Sequence, residues 1–488
     1  MARCSCAGLC AGTPPLRSAA PYIFHSQTMS LCETCHDTVP AKVILEGGKA
    51  FFVKRCPDHG VQKTLVSTDS DYFQLAKSFL KPGDRPQHLA GRTDYGCPWD
   101  CGLCPDHEQH SCLAIVEIND ICNIACPVCF ADSTPHKGGH RTLDEVRRML
   151  DTVVKAEGEA DLVQLSGGEP TLHPQFFEIL AECKVRPIRH VMINTNGIRI
   201  AEEPDFARRL AEFTPGLEVY LQFDSLRPAA LKAIRGADMA RIRRQALDNQ
   251  EAAGVATTLV CVVSRGHNED EMGEIVRHAL EWSCVRGVTF QPVQLAGRVP
   301  ETAKSQRVVL SEIRRNLGED GSVFGLDDII PLPCHPEMIA IAYGLRKGRT
   351  VVPVTSLIPR EEFLAAAPNA ITFEKNEVLR EKLVDLFSLG TFTESTEKMA
   401  QFLCCLPEFP QPQNLSYADI FRVAIVEFMD AYNFCVGSVK RSCIHFATLD
   451  GQMIPFDTYN LFYRNGQIGG IRRRLDRIRE VRREGVDV

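Results

Sequence analysis

Between residues 113 and 300 the chain alternates short apolar runs with longer amphipathic stretches. The apolar runs are LAIVEI, DLVQLS, HVMINTNG, LEVYLQFD, TTLVCVV and GVTFQPV, each of a length typical of a buried strand. Strands that alternate with helices form parallel sheets with right-handed crossovers. We therefore expect an α/β fold, a partial (β/α)6 barrel of the TIM type, with ligands at the carboxyl ends of the strands.

Three of the amphipathic stretches carry helix signals. TLDEVRRMLDTVVKA opens with a capping box formed by Thr142 and Glu145. Pro174 suits the first turn of a helix in HPQFFEILAECK, and Asn268 is the expected N-cap of NEDEMGEIVRHALEW. These stretches are the expected outer layer of the barrel.

The remainder of the chain divides by composition into flanking segments. Residues 1–29 are a Ser/Ala/Pro-rich lead-in that we expect to be disordered, and translation could start at Met29. Residues 30–66 contain a predicted hairpin, KVILEGGKAFFVK, with a Gly-Gly turn. Residues 67–112 are a linker that ends in a cysteine-rich segment. Residues 301–488 are predicted to form an α+β region in which helix and loop are mixed.

Composition narrows the class of protein. A chain of 488 residues with 44% hydrophobic and 24% charged residues is typical of a soluble globular protein, and its net charge of −7 argues against a nucleic-acid surface. The basic run IRRRLDRIREVRREG is either a solvated helix face or a patch for RNA or lipid phosphate, which leaves a peripheral membrane contact open. With 21 cysteines and no signal peptide, we expect metal ligation in the cytoplasm rather than disulfides.

One motif, CNIACPVCF, places three cysteines directly after the first predicted strand: Cys122, Cys126 and Cys129. A structural zinc site closes with four protein ligands. Three thiolates suit a [4Fe–4S] cluster in which one iron is left for an external molecule. The alternative is a zinc knuckle with a distant fourth ligand.

The ends of the following strands carry candidate ligand-binding residues. In SGGEP, Gly167-Gly168 allows close approach to the backbone, and Glu169 offers acceptors for an ammonium group. Asn194 and Asn196 of NTNG and Asp224 of QFDS end the next two strands. They are candidates for binding ribose hydroxyls, or are turn residues that satisfy backbone groups.

Two further cysteine sets precede the core. The first predicts a second [4Fe–4S] cluster held entirely by protein, or else a zinc ribbon, from Cys97, Cys101, Cys104 and Cys112. The second predicts a mononuclear tetrahedral site, with structural zinc or electron-relaying iron, from Cys32, Cys35, Cys56 and His59.

Together, CNIACPVCF and SGGEP resemble the radical S-adenosylmethionine (radical SAM) superfamily over residues 113–300. This resemblance implies that the cluster's free iron holds the methionyl end of SAM, with Gly167-Gly168 and Glu169 at its amino group. It also implies reductive cleavage of SAM to a 5′-deoxyadenosyl radical that abstracts hydrogen from a substrate. A low-potential electron donor such as ferredoxin or flavodoxin would then be a partner.

The wider layout, over residues 30–465, resembles the tetraether lipid synthase family and its methanopterin-methylating relatives, most specifically in CPWDCGLCPDHEQH. That resemblance implies a further C-terminal cluster held by Cys334, Cys435 and Cys443, with Cys404 or Cys405 as its fourth ligand unless these two are buried apolar thiols. Asp457 and Met338 stand where the family pattern has cysteines.

We therefore expect a radical SAM enzyme that functionalises an unactivated C–H bond of a small-molecule substrate. The first expectation is C–C coupling of lipid tails, which requires a long apolar tunnel. The second is C-methylation of a pterin, which requires a compact pocket with aromatic rings and an acidic residue. Rivals of another class are a non-catalytic Fe–S electron-transfer protein and a zinc-only scaffold.

Overall fold

A computed structural model describes residues 20–321, 323–366 and 419–483. The N-terminal module is an antiparallel sheet of β1 (Ile23–Leu31), β2 (Thr38–Glu46), β3 (Lys49–Cys56) and β4 (Gly60–Ser67), followed by α1 (Ser70–Ser78). The predicted hairpin is confirmed, because Gly47 and Gly48 take φ values of 58° and 74° in the turn between β2 and β3. The prediction that the lead-in is disordered over its whole length is wrong, because β1 pairs with β2 from Ile23 onward.

The core contains the six parallel strands that the apolar runs predict, in chain order across the sheet. They are β5 (Leu113–Asn119), β6 (Ala160–Gly167), β7 (Ile188–Thr195), β8 (Leu217–Gln222), β9 (Thr257–Val263) and β10 (Val285–Pro292). Alternate residues face opposite ways: Val163 and Leu165 pack in the helix-covered core, whereas Leu162 and Gln164 line a central cavity. All six strands contribute to that cavity, so the sheet curves around it.

Helices connect these strands and cover the outer face of the sheet. They are α2 (Leu143–Glu157), α3 (Phe176–Lys184), α4 (Ile198–Glu202), α5 (Pro204–Ala211), α6 (Pro228–Arg235), α7 (Ala240–Ala253) and α8 (Met272–Ala279). The Thr142–Glu145 capping box at α2 is confirmed. The other two helix starts are wrong, because α3 begins after Pro174 and α8 is capped by Glu271. Asn268 instead hydrogen-bonds the backbone of Ser264, Asp224 and Val262.

The C-terminal region is more sheet-like than the predicted mixture of helix and loop. Its elements are α9 (Leu310–Asp320), β11 (Ile330–Pro331), β12 (Ile339–Lys347), β13 (Thr350–Pro353), α10 (Arg360–Ala366), β14 (Ile420–Val426), α11 (Val436–Val439), β15 (Ile444–Ala447), β16 (Met453–Pro455), α12 (Phe456–Thr458) and α13 (Gln467–Arg483). Strand β14 pairs in parallel with β10, and β15 pairs in parallel with β5. The region therefore extends both edges of the core sheet.

The basic run forms helix α13, which is largely exposed. Arg472 donates hydrogen bonds to the Trp99 carbonyl at 2.8 and 3.0 Å, which fixes α13 against the cysteine-rich segment. Within the described ranges, no helix combines the length and the apolar character needed to cross a bilayer.

Candidate active site

The loop after β5 carries Cys122, Cys126 and Cys129, and all three line the central cavity of about 210 Å³. Backbone hydrogen bonds of 2.8 and 2.9 Å join Cys129 to Arg298, and the Arg298 guanidinium donates to the Cys126 carbonyl at 2.8 Å. Arg298 also donates to the Ser133 carbonyl at 2.8 Å. These contacts hold the loop in place over the mouth of the barrel.

The donor set of this loop fits an iron–sulfur cluster. In the described part of the chain, two groups of Cys and His ligand atoms lie entirely within 4.8 Å of one another, and the loop cysteines are not such a group. Their wider spread suits separate corners of a cubane better than a single ion, and three thiolates leave one iron for an external ligand.

The two glycines of SGGEP are needed for packing, in addition to the predicted close approach of a ligand to their backbone. A Cβ at Gly167, where φ is 136°, would lie 2.1 Å from the Asn119 carbonyl oxygen, and one at Gly168 would lie 2.1 Å from that of Ile121. Both glycines also line the cavity. Their lack of a side chain lets the end of β6 pack against the cysteine loop.

Glu169 is buried at the same turn and lines the cavity. Its carboxylate accepts hydrogen bonds from the hydroxyls of Thr171 and Thr195 at 2.6 and 2.7 Å, and from the backbone N–H groups of Thr171 and Asn196 at 3.1 and 2.8 Å. Burial raises the pKa of Glu169, and these hydrogen bonds oppose that rise. The carboxylate is therefore held in one orientation beside the cysteine loop.

Asn194 and Asn196 also line the cavity, as predicted for ligand-binding residues. Asn194 accepts a 2.5 Å hydrogen bond from Gln222 and donates to Ser166 at 3.3 Å. Asn196 donates to the Asn123 side chain at 2.7 Å, which links β7 to the cysteine loop.

The predicted contact of Asp224 with ribose is wrong. Asp224 is fully buried and is not part of the cavity wall. Both of its oxygens accept hydrogen bonds from Arg235, at 2.6 and 2.7 Å, and one also contacts Arg243 at 3.3 Å. Burial would raise the pKa of Asp224, but Arg235 and Arg243 hold it below its ordinary value. Its carboxylate serves to hold Arg235.

Arg235 is a site residue that the sequence did not reveal. It lines the cavity, donates to the Gln222 side chain at 2.6 Å and lies near the Cys126 thiol. Burial raises the pKa of Cys126, and Arg235 opposes that rise. Nothing in the helical sequence around Arg235 marks it, because only the fold brings α6 over the cysteine loop.

The N-terminal module assembles its predicted metal site. The ligand atoms of Cys32, Cys35, Cys56 and His59 all lie within 4.8 Å of one another. Nδ1 of His59 is 3.6 Å from the Cys32 sulfur and 3.4 Å from that of Cys56, which is 3.9 Å from the Cys35 sulfur. Two knuckles joined by a hairpin thus form a compact four-ligand set.

The predicted set of Cys97, Cys101, Cys104 and Cys112 is wrong in its last member. Cys112 lies with Cys334 and Cys443, and the three sulfurs are within 4.8 Å of one another. Backbone pairing explains this, because Leu113 N–H donates to the Cys443 carbonyl at 3.1 Å. We call Cys112, Cys334 and Cys443 the buried thiol trio. Burial raises the pKa of the Cys101 and Cys104 thiols, and the nearby Cys97 raises it further.

The expected C-terminal cluster is also corrected. Cys435 lies away from the buried thiol trio, with its sulfur 3.2 Å from the Thr28 hydroxyl of the N-terminal module. Cys404 and Cys405 fall outside the described residues. Asp457 accepts a hydrogen bond from Met429 N–H at 2.6 Å, and burial raises its pKa to about 7.

Two histidines of the cysteine-rich segment, His107 and His110, lie among other side chains rather than in solvent. Nε2 of His110 lies 3.5 Å from the Cys112 sulfur, and its Nδ1 is 2.9 Å from the Glu157 carboxylate. A carboxylate on the far nitrogen is the usual support for a metal-binding histidine. His107 is buried against His445, with 3.2 Å between their Nε2 atoms.

Family comparisons agree with this geometry. Residues 116–279 match the model of the radical SAM superfamily, and residues 24–68 match that of the HMPTM N-terminal zinc ribbon domain. The chain contains a radical SAM domain. The zinc ribbon covers the four-ligand set of the N-terminal module, which favours zinc over iron there.

One similar protein matches the chain well beyond the radical SAM domain. The chain is 28% identical to 7,8-dihydro-6-hydroxymethylpterin dimethyltransferase of Methanocaldococcus jannaschii, over 90% of this chain and 94% of that protein. It is 29% identical to GTP 3′,8-cyclase of Cronobacter sakazakii over 46% and 68% of the two chains. Among solved structures, Streptococcus suis SuiB bound to S-adenosylmethionine aligns with a TM-score of 0.35 and 16% identity, over 43% and 47% of the chains.

Proposed function

We propose that this radical SAM enzyme methylates a carbon atom of a pterin-like heterocycle. The observation that carries the proposal is the cavity, in which the three cysteines of the loop share one compact space with polar side chains deeper in the barrel. The near full-length similarity to a pterin dimethyltransferase supports the same substrate class. Lipid-tail coupling, the first expectation, has no comparable support, and the charged side chains of Glu218 and Arg422 in the cavity wall do not suit an alkyl chain.

In this proposal, Cys122, Cys126 and Cys129 would hold a [4Fe–4S] cluster, which would supply the electron for reductive cleavage of SAM. The residues of the chain bind SAM and orient it. Glu169 accepts the methionine ammonium, and the backbone at Gly167-Gly168 allows SAM to approach closely.

Aromatic side chains close one side of the cavity. Phe428 and Phe456 stack with their ring centroids 3.7 Å apart, and both rings line the cavity together with Phe130. Such rings offer stacking surfaces to a flat heterocycle. The pocket thus has the aromatic rings that pterin methylation requires.

The test is product analysis under anaerobic conditions. Reconstituted protein, dithionite, SAM carrying a deuterated methyl group and 6-hydroxymethyl-7,8-dihydropterin are incubated, and the pterin is analysed by mass spectrometry. The proposal predicts a pterin that has gained deuterated methyl carbon. An unchanged pterin, together with coupled tails when isoprenoid lipids are supplied, would reverse the assignment.

A further inference from the structure

Gln164 is a buried amide that the fold leaves without a neighbour to bind. Its side chain is 6% exposed and lines the cavity. Across the sheet it pairs with Ile115 on β5 and with Met192 on β7, and neither side chain offers a strong hydrogen-bonding group to an amide. Among the described residues, no hydrogen bond reaches the Gln164 side chain. Its amide therefore opens onto the cavity, where a bound molecule can supply the missing hydrogen bonds.

The position of Gln164 along β6 relates it to the SAM site. It stands three residues before Gly167, which is about 10 Å of extended strand below the turn that faces the cysteine loop. A flat molecule bound at Gln164 would therefore lie deeper in the barrel than the expected SAM site.

The inner end of the cavity is polar as well. Glu218 on β8 accepts hydrogen bonds of 2.7 and 2.9 Å from Arg422 on β14 and another from the Thr258 hydroxyl, and His190 lies 3.4 Å away. All four side chains line the cavity. Burial would raise the pKa of Glu218, but Arg422 and His190 hold it well below its ordinary value. An ionised pair thus faces any ligand at this depth.

The absence of a side chain at Gly287 on β10 helps Arg422 to reach across the sheet. A Cβ there would lie 2.7 Å from the Arg422 Cγ and 2.4 Å from its carbonyl oxygen. The ion pair is therefore built into the strand pairing and forms a fixed polar floor.

The wall beside Gln164 is apolar. It is formed by Leu113, Ile115, Leu162, Met192, Ile339 and Ile341. A cavity with an apolar wall, an amide without a protein partner and a charged floor suits a flat ring whose polar atoms lie along one edge. An alkyl chain would leave the amide without a hydrogen-bond partner.

We propose that Gln164 determines substrate specificity by pairing with a ring amide of the substrate, its carbonyl accepting the ring N–H and its NH₂ donating to the adjacent ring carbonyl. A side-chain amide presents one donor and one acceptor side by side, so its complement is a ring N–H beside a ring C=O. This inference rests on the proposed function, because it names the edge by which a pterin-like ring is recognised.

The test measures binding without turnover. Reconstituted protein with SAM and no reductant is dialysed against 6-hydroxymethylpterin or its 3-methyl analogue, which lacks the ring N–H. Loss of one buried hydrogen bond costs about tenfold in affinity. We expect the wild-type chain to prefer the unmethylated ring by about that factor, and Gln164→Met to reduce the ratio of the two affinities to near one.

A matched control is Gln250→Met, which removes a buried amide that contacts Thr257 and does not line the cavity. It should keep the wild-type ratio. A ratio near one in the wild-type chain, or an unchanged ratio in Gln164→Met, overturns the inference. If Gln164→Met does not fold, Gln164→Asn, which keeps the amide but withdraws it, must weaken binding of the unmethylated ring.

The two proposals fail in different ways. A wild-type chain that methylates the pterin but treats both rings alike would refute only the role of Gln164. A chain that binds neither ring and still forms 5′-deoxyadenosine from SAM would refute the pterin assignment and this inference with it.

Discussion

The sulfur atoms of Cys334 and Cys443 lie 3.7 Å apart, although 109 residues separate them in the sequence. A hydrogen bond from the thiol of Cys112, and a second from Cys443, hold the pKa of Cys334 well below its usual range. A tetrahedral ion with metal–sulfur bonds of about 2.3 Å would place its sulfurs about 3.8 Å apart. The spacing in the buried thiol trio is therefore that of a single metal ion.

Removal of one cysteine of the buried thiol trio should abolish the binding of a metal ion there. We predict that Cys334→Ser and Cys443→Ser each lose about one metal ion per chain, measured by elemental analysis of anaerobically purified protein. Cys435→Ser is the matched control, because its thiol contacts Thr28 rather than the trio, and it should keep the wild-type content. Loss of about four irons with matching sulfide would show a cubane instead.

The N-terminal module should hold zinc. We predict that Cys56→Ser lowers the zinc content by about one equivalent and destabilises the module, because a structural zinc site contributes directly to folding. Cys183→Ala removes a buried thiol of α3 outside every metal-binding group and should leave the zinc content unchanged. An equivalent loss of iron in Cys56→Ser would assign an electron-relaying site.

Glu169→Gln should weaken SAM binding. The change removes the negative charge beside the expected ammonium group and replaces one acceptor oxygen by a donor that faces N–H and O–H groups. We expect the KM for SAM to rise by about tenfold or more, with a smaller effect on kcat. Glu182→Gln alters a surface ion pair with Arg147 and Arg186 and should have neither effect.

Glu427 should make stability fall with rising pH. Burial raises its pKa to about 7, against opposing effects of the Leu310 N–H, Arg307 and Asn433. An unfolded glutamate titrates near pH 4.3, so between about pH 4 and 7 the folded chain keeps a proton that the unfolded chain has released. The stabilisation is complete below the unfolded pKa and is lost as the pH rises through the folded pKa.

The matching variant is Glu427→Gln, which cannot titrate. We expect the free energy of unfolding of the wild-type chain to fall between pH 5 and 8 by up to about 3 kcal/mol more than that of the variant. Urea titrations at the two pH values measure this difference. Glu312→Gln, on the neighbouring α9, should behave as the wild type; an equally steep fall in Glu427→Gln would exclude Glu427 as the cause.

Local signals in the sequence predicted local structure well. The strands, the hairpin and the Thr142 cap depend on residues that are neighbours in the chain, so the sequence pattern was sufficient to predict them. Spacing also predicted the set around Cys32, whose ligand atoms come together because they lie on two knuckles joined by one hairpin. The start of α8 was missed because tertiary contacts recruit Asn268 to the backbone of Asp224 instead.

Residues brought together from distant segments could not be assigned by spacing. Cys112 follows Cys104 closely in the chain, yet the pairing of β5 with β15 carries it to Cys443. Asp224 ends a strand beside the site, but Arg235 and Arg243 occupy its carboxylate. Sequence periodicity also could not show that both cross-strand neighbours of Gln164 are apolar, because that depends on register.

Formation of 5′-deoxyadenosine from SAM is the most direct test of the central claim that Cys122, Cys126 and Cys129 hold the cluster that cleaves SAM. The reconstituted protein with dithionite should form it, the variant with alanine at all three positions should not, and Cys183→Ala should retain the activity. Equal amounts of 5′-deoxyadenosine from the triple variant and the wild-type chain would contradict the account.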